Sequence, residues 1–279
     1  MFYDDKLLRE ISGIYDFQNL EEIYEDLVEE LVGATETISH EVYGTSLSNE
    51  PITIGSFVSH TNSNSAATLD FLILSSNLSI IDNDLSYVKS KNKRQKEELL
   101  TTAKIRLQYM DALLGSFTSA TQFYVLPNSL FIESVYEIGF NINIYVGVEK
   151  NGVVHFLDAI NNRIVKFNYD KYYNLLEKKN DETLGQYKRI VNMVQNLFYN
   201  CEVYLSNYVV ESLFYNVPNE LFKGPYSEQI IKIINYLNII DFRDFKSIDS
   251  NDKLINNAFL NTNYYTLKTS IARLVESLR

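Results

Sequence analysis

Two short stretches decide the fold of this chain: Ile54-Gly55-Ser56 and, after a spacer of eleven residues, Thr68-Leu69-Asp70-Phe71-Leu72-Ile73-Leu74. A Gly-Ser pair at the start of a helix lets main-chain N–H groups approach phosphate without side-chain obstruction, and a helix N-terminus favours negative charge. The apolar run predicts a buried strand. Because alternate strand residues point to one face, we expect positions 68 and 70 to face the phosphate group together, where an acid could hold a divalent metal.

Either feature alone is weak evidence. A Gly-Ser pair is common, and a single acid on a strand is more often an edge residue than a ligand. The order and spacing of the two stretches, and the residues around them, therefore carry the interpretation.

The rest of the front half has mixed periodicity. Apolar residues at intervals of three and four predict helices around residues 20–31 and over 96–114. Residues 52–56 are predicted as a turn. Strands are predicted at 69–74, 123–126 and 130–135, and a hairpin joins 141–148 to 153–157 through Glu149-Lys150-Asn151-Gly152.

From residue 187 onward the pattern is almost wholly helical, with helices predicted at 204–214, 227–239 and 251–278. No repeat or low-complexity linker separates the two halves. The chain is therefore expected to form a mixed part and a helical part that share a cleft.

Composition excludes several classes of protein. Hydrophobic residues make up 46% and charged residues 22%, which is typical of a globular protein. No apolar stretch reaches the roughly 18 to 20 residues of a membrane span, and no signal peptide is evident, so we expect a cytoplasmic protein without a membrane partner. The lone Cys201 cannot form an internal disulfide. A net charge of −11 disfavours nonspecific binding to duplex nucleic acid.

One local run of basic residues departs from this acidic balance. It comprises Lys89, Lys91, Lys93, Arg94 and Lys96. The run either lines a path for polyphosphate or is a solvated start to the next helix, and the solvated helix is the favoured interpretation because such runs are usually surface features.

A Gly-Ser pair, a spacer and an acid on the following strand occur here in the order that is typical of the DNA polymerase β-like nucleotidyltransferases, and the chain resembles that family. The resemblance is to the bacterial CD-NTase group, which makes cyclic oligonucleotide signals in antiphage defence. The family pattern is Gly-Ser, Asp-x-Asp on a strand, and a third Asp on a later strand. Residues 187–191 resemble the family's first spine helix, and residues 204–219 resemble a later helix and its exit.

The resemblance implies an α+β fold. A mixed nucleotidyltransferase sheet domain with N-terminal helices would occupy residues 1–186 and pack against a helical domain at 187–279. The two lobes would flank a central cleft. It also implies nucleotide-binding residues at Gly55, Ser56, Gln195 and Ser206, with Gln195 standing where the family has a lysine that contacts the phosphates. Mg²⁺ would enter with a bound nucleoside triphosphate.

Two of the three metal-binding acids implied by the resemblance are replaced. Thr68 stands at the first position, Asp70 keeps the second, and Asn143 stands at the third. Two-metal phosphoryl transfer needs anionic oxygen ligands, and Thr and Asn supply only neutral oxygens. If the ion that activates the hydroxyl lowers the barrier by about 4 to 6 kcal/mol, losing it costs roughly three to four orders of magnitude in rate.

The sequence therefore predicts a pseudoenzyme that binds a nucleotide or a partner protein. One alternative is an active nucleotidyltransferase with a rearranged acid set, which makes a nucleotide signal or modifies an acceptor. A third is an interaction module that uses only the outer surface of the fold. Asp82-Asn83-Asp84 is a second pair of acids, for which a loop or helix-cap role is favoured over metal binding.

Overall fold

The computed structural model describes residues 21–41, 47–48, 50–55, 68–89, 101–115, 121–126, 129–133, 141–158, 163–203, 205, 207–249, 253–254 and 264–278. The described residues group into two compact units. Most residues up to 169 form a unit built around a sheet, and Gly55 with the described residues from 170 onward forms a helical unit.

The sheet unit holds seven strands: β1 (Ile52–Ile54), β2 (Thr68–Ser75), β3 (Gln122–Val125), β4 (Leu130–Glu133), β5 (Asn141–Lys150), β6 (Val153–Asp158) and β7 (Arg163–Phe167). Their order is β1-β2-β5-β4-β3, with β6 between β5 and β7. Only β2 and β5 are parallel among these pairs of described strands. The sheet is therefore mixed, as predicted.

The alternation of side chains between the two faces of the sheet explains which strand residues are buried in the core. On β5, Ile142, Ile144 and Val146 are buried, whereas the residues between them are half-buried. The same alternation holds at the start of β2, after which residues 71–75 are all buried. One face of the sheet is thus apolar, and the opposite face carries the polar residues of these two strands.

The described residues of the sheet unit form three helices: α1 (Glu21–Glu41), α2 (Ser79–Lys89) and α3 (Thr102–Leu113). The hydroxyls of Thr35 on α1 and Tyr109 on α3 form a buried hydrogen bond of 2.6 Å. The side chain of Thr101 accepts a hydrogen bond from the main-chain N–H of Lys104 and so caps α3. The first contact joins α1 to α3, and the second fixes the start of α3.

The helical unit is built from α4 (Tyr169–Glu182), α5 (Gln186–Asn200), α6 (Asn207–Tyr215), α7 (Tyr226–Ile239) and α8 (Tyr264–Ser277). Residues 190–198 of α5 are buried on all sides. The buried Glu211 accepts a hydrogen bond from the Tyr172 hydroxyl, and its main-chain oxygen accepts one of 2.7 Å from Tyr187. Tyr208 donates to Asp249 in the same way. Tyrosine hydroxyls therefore satisfy buried acids in this core.

Most predicted elements are confirmed where the structure describes them. The helix around 20–31, the strands, the hairpin and the helical back half are all present. Asn151 and Gly152 have positive φ values of 55° and 73° in the hairpin turn, as a tight two-residue turn requires.

Some predicted boundaries are wrong. Residues 52–54 form a strand instead of a turn, because they pair with β2. The last helix begins at Tyr264, since Lys253 instead forms a bridge with Lys246. β7 and α4 were not predicted. Most of the basic run at 89–96 lies outside the described residues.

No helix in the described part of the chain is long and apolar enough to cross a membrane.

Candidate active site on the sheet

The parallel pairing of β2 with β5 positions the candidate metal-binding residues. Asp70 lies opposite Asn143, and Thr68 lies opposite Asn141. Asn143 donates a hydrogen bond from Nδ2 to Oδ1 of Asp70 at 2.9 Å. The structure therefore brings Asp70 and Asn143 into direct contact, and the period of β2 places Thr68 on the same face.

Tyr145 adds an apolar wall to this part of the sheet face. It follows Asn143 on the same face of β5, and its ring meets Phe156 edge-on with centroids 6.5 Å apart. Burial and the nearby Asp70 carboxylate raise the pKa of the Tyr145 hydroxyl well above its usual range. The Asp70 carboxylate therefore lies next to a poorly hydrated phenol.

Gly55 comes directly after β1, whose last residue, Ile54, pairs with Asp70. Its φ of 77° lies in the left-handed region, which glycine adopts without the strain that a side chain would bring. The chain therefore needs glycine here for its turn after β1. The predicted partner Ser56 lies outside the described residues, and so does Ser206.

Gln195 lies on α5 in the helical unit and is 6% exposed. Neither its Nε2 nor its Oε1 has a hydrogen-bond partner among the residues that the structure describes. Leaving a buried polar atom unsatisfied costs about 1–3 kcal/mol. Both amide atoms are buried within the described helical unit, and the predicted role of Gln195 beside phosphate stays a prediction.

Glu133 is an acid on the polar sheet face that the sequence did not indicate. Phe131 of β4 pairs with Asn143, so Glu133, two residues further along, shares that face. The Tyr124 hydroxyl donates to Oε2 of Glu133 at 3.2 Å. Since β5 separates β4 from β2, the backbones that carry Glu133 and Asp70 are about 10 Å apart. Only the strand register, which the sequence does not state, could have identified Glu133.

Asp84 has a structural role. Its two carboxylate oxygens accept hydrogen bonds of 2.9 Å from the main-chain N–H and the hydroxyl of Thr102, at the start of α3. Burial raises its pKa to about 6, although those hydrogen bonds and the charge of Arg106 act in the opposite direction. The predicted helix-cap role is confirmed for Asp84, which caps α3 and not its own helix, whereas Asp82 lies exposed in the first turn of α2.

The residues present do not fit a two-ion metal site. Within the described ranges, no group of three or more His, Cys, Asp or Glu side chains could hold a metal ion. One Asp70 oxygen already accepts a hydrogen bond from the Asn143 amide, which places a donor where a cation would need an anionic ligand. Among the described residues, this face of the sheet lacks a complete set of metal ligands.

Comparison with solved structures identifies the fold. The chain is similar to the Rhodothermus marinus CdnE c-UMP-AMP synthase with Apcpp and Upnpp, with a TM-score of 0.65 and 16% identity over 99% of this chain and 96% of that one. It is also similar to the Elizabethkingia meningoseptica CdnE cyclic dinucleotide synthase with GTP and Apcpp, with a TM-score of 0.63 and 14% identity over 99% of both chains.

A third similar structure is the CdnC:HORMA-deltaN complex of E. coli MS115-1, with a TM-score of 0.56 and 11% identity over 92% of this chain and 82% of that one. A comparison with curated proteins gave no match. Residues 174–278 match the model of the cGAS/DncV-like nucleotidyltransferase C-terminal helical domain. The chain is therefore CD-NTase-like: it has the fold of these nucleotidyltransferases, and its residues 174–278 correspond to their C-terminal helical domain.

Proposed function

We propose that this protein is a catalytically impaired CD-NTase-type pseudoenzyme that binds a nucleotide or a partner protein. The observation that carries the proposal is the hydrogen bond from Asn143 Nδ2 to Asp70 Oδ1. In a catalytic site, a divalent cation would lie between the side chains at positions 70 and 143. In this structure the Asn143 amide donates directly to the Asp70 carboxylate.

The chemistry of the pair supports this assignment. The Asn143 amide donates through nitrogen and offers one neutral oxygen, whereas hard divalent ions depend on anionic oxygens. Thr68, at the remaining position, adds a hydroxyl without charge. A divalent ion that arrives with a triphosphate has most of its ligands from the phosphates, so Mg²⁺ is proposed only as part of a bound nucleotide.

Nucleotide binding is the first part of the proposal. The CdnE structures to which the chain is similar were solved with nucleotides or their analogues. The groups proposed to contact a nucleotide in this chain are Gly55, Ser56, Gln195 and Ser206. An added nucleoside triphosphate is expected to raise the melting temperature, since a ligand selective for the native state stabilises it. An interaction module that uses only its outer surface would show no such shift.

A protein partner is the second part of the proposal. The E. coli CdnC to which the chain is similar was solved in complex with a HORMA protein. We propose that this chain acts in antiphage defence inside the cytoplasm, through a bound nucleotide or a bound protein.

The decisive experiment measures catalysis directly. The purified chain is incubated with each labelled nucleoside triphosphate and either Mg²⁺ or Mn²⁺, with Asp70→Ala as the matched control. We expect no product above the level of the control. Robust turnover that Asp70→Ala abolishes would overturn the pseudoenzyme proposal.

The active alternative rests on Glu133. This acid shares the sheet face with Asp70 and could complete a rearranged acid set if the strands shift on binding a substrate. Turnover lost in both Glu133→Gln and Asp70→Asn would support that alternative. The double variant Thr68→Asp, Asn143→Asp separates the two proposals further, because a pseudoenzyme should gain metal binding whereas a rearranged site should be damaged or unchanged.

A further inference from the structure

The helix α3 carries two apolar stripes. Ile105, Tyr109 and Leu113 form the first, which is buried within the sheet unit. A surface helix of a globular protein usually has one such stripe, and its remaining sides are polar. A second stripe is therefore not needed to hold α3 in the sheet unit, and it calls for another explanation.

The second stripe, which we call the outer stripe, consists of Ala103, Leu107, Met110 and Leu114. Its spacing of four, three and four residues places these side chains along one side of the helix, and Leu114 follows α3 directly with helical φ and ψ. Leu107 is 43% exposed and Leu114 is 52% exposed, whereas the other two residues are half-buried. Single exposed apolar residues are common, but a row at this spacing is typical of a helix that packs against another helix.

Two charged residues beside the outer stripe indicate what covers it. Lys104 and Asp111 are seven residues apart, so they lie on one side of the helix, about a quarter-turn from the stripe. Asp111 is exposed and Lys104 is half-buried. This charged flank is positive towards the start of α3 and negative towards its end. It is therefore complementary to a copy of itself that runs in the opposite direction.

An antiparallel pair of α3 helices matches the outer stripe with itself. Leu107 is then level with Met110 of the second copy. Ala103 is level with Leu114 of that copy, because both pairs are centred between the same two positions, 108 and 109. At each end the small alanine leaves room for the larger leucine. Packed helices have axes about 8–10 Å apart, so the apolar side chains of the two copies would be in contact.

The same arrangement pairs the charges of the two flanks. Lys104 and Asp111 of the second copy are offset by about 3 Å along the helix axis, a distance that the lysine side chain spans. The twofold axis of an antiparallel pair is perpendicular to the plane of the two helices, so both charged flanks lie on the same side of that plane. Twofold symmetry then forms the ion pair twice. In a parallel pair the two flanks would lie on opposite sides, and these charges would not meet.

We propose that α3 forms the interface of a homodimer, in which the outer stripe packs antiparallel against the outer stripe of a second copy. The proposed nucleotide contacts do not include any residue of this stripe, so the dimer does not depend on whether the chain binds a nucleotide. A helix of 12 residues is about 18 Å long, and a pair of this length lies at or below the low end of the roughly 1,200–2,000 Å² that stable interfaces bury. The dimer is therefore expected to be weak, with a dissociation constant of about 10–500 µM.

Sedimentation velocity of the full chain over a range of about 5–500 µM tests the association. We expect a monomer–dimer equilibrium within this range. Leu107→Gln removes apolar contact from both copies at once and should weaken the dimer at least about fivefold. Ile239→Gln is the matched control, since it changes an 83% exposed apolar residue at the end of α7, and it should leave the dimer unchanged. A chain that stays monomeric throughout, or a Leu107→Gln variant that dimerises as well as the unmodified chain, would overturn the proposal.

Charge variants test the antiparallel orientation. Lys104→Glu makes the charged flank wholly negative and Asp111→Lys makes it wholly positive, so each variant alone should dimerise at least about threefold more weakly than the unmodified chain. An equimolar mixture of the two variants should recover the dimer, because opposite charges then meet between unlike copies. A mixture that associates as weakly as its components contradicts the proposed interface. If one charge variant does not fold, the comparison of Leu107→Gln with Ile239→Gln decides.

Discussion

Asn143 donates a hydrogen bond to Asp70 across two parallel strands, Nδ2 to Oδ1, at 2.9 Å. Both side chains are half-buried and lie directly opposite each other in the strand register. Any second acid at position 143 would therefore face the Asp70 carboxylate at hydrogen-bond distance.

Asn143→Asp should lower the free energy of unfolding by about 1–3 kcal/mol at neutral pH without metal, because it replaces a donor with a second negative charge. Acidification should recover much of the loss as one carboxyl becomes protonated. Mn²⁺ should also stabilise this variant more than the unmodified chain. Urea unfolding with and without Mn²⁺ measures both effects.

Asn143→Leu is the matched control for this experiment. It removes the same donor at similar size but adds no charge, so its loss of stability should change little with pH or Mn²⁺. If the loss in Asn143→Asp is equally insensitive to pH and Mn²⁺, the pairing of carboxylates at positions 70 and 143 has no energetic role.

Asp84 should make the stability of the sheet unit depend on pH. Burial raises its pKa from 3.8 to about 6 in the folded chain, so between these values the folded state binds more protons than the unfolded state. The stabilisation of the folded state by protonated Asp84 is fully present below about pH 4 and is lost as the pH rises through about 6. The change corresponds to about 3 kcal/mol.

Asp84→Asn keeps an acceptor for the Thr102 N–H and removes the titration. The difference in unfolding free energy between the unmodified chain and this variant should therefore fall by about 2 kcal/mol from pH 4 to pH 6. Asp82→Asn changes an exposed acid in the first turn of the same helix and is the matched control. Chemical denaturation at several pH values measures all three proteins. A flat difference for Asp84→Asn would contradict the prediction.

Local sequence patterns predict the strands of this site and some of its residues. The apolar run of β2 and the alternation of β5 predicted the two strands, and the resemblance to the family indicated Asp70 and Asn143 as partners. The contact between them is not a local property, since it depends on strands 73 residues apart pairing in one register. Glu133 was missed for the same reason.

Other errors arose where tertiary contacts decide the local structure. β1 has three residues and pairs with β2, so it carries too little periodicity to predict a strand. In α4, charged residues follow one another closely and obscure the apolar stripe of Tyr172 and Leu176. The cap that Asp84 provides to another helix likewise requires knowledge of how α2 and α3 pack.

Lys179 should give the helical unit the opposite pH dependence. Burial lowers its pKa from 10.5 to about 8, despite the attraction of Glu182 and Glu220. Between these values the unfolded chain binds more protons, so stability rises as the pH increases from about 8 to about 10.5, and this contribution is lost as the pH falls through 8.

Lys179→Met removes this titration and leaves the Val217 oxygen without its donor, which costs about 1–3 kcal/mol. The deficit relative to the unmodified chain should widen from pH 8 to pH 10. Lys178→Met, at a neighbouring side chain that is 70% exposed, is the matched control and should show only a small deficit. Parallel deficits in the two variants would rule out a special role for Lys179.

Gly147 on β5 is required by the close approach of β6. A Cβ built at this position lies 2.4 Å from Cγ1 of Val154 and 2.9 Å from the ring of Phe156, both of which are buried. Gly147→Ala should therefore destabilise the chain by about 1–3 kcal/mol, because packed side chains must move to admit the methyl group.

Gly33→Ala is the matched control, since nothing lies within 4 Å of its added Cβ in the middle of α1. It should raise stability by about 1 kcal/mol through helix propensity. Urea unfolding should show changes of opposite sign in the two variants. A neutral or stabilising Gly147→Ala would contradict the prediction, because it would show that Val154 and Phe156 make room for the methyl group at no cost.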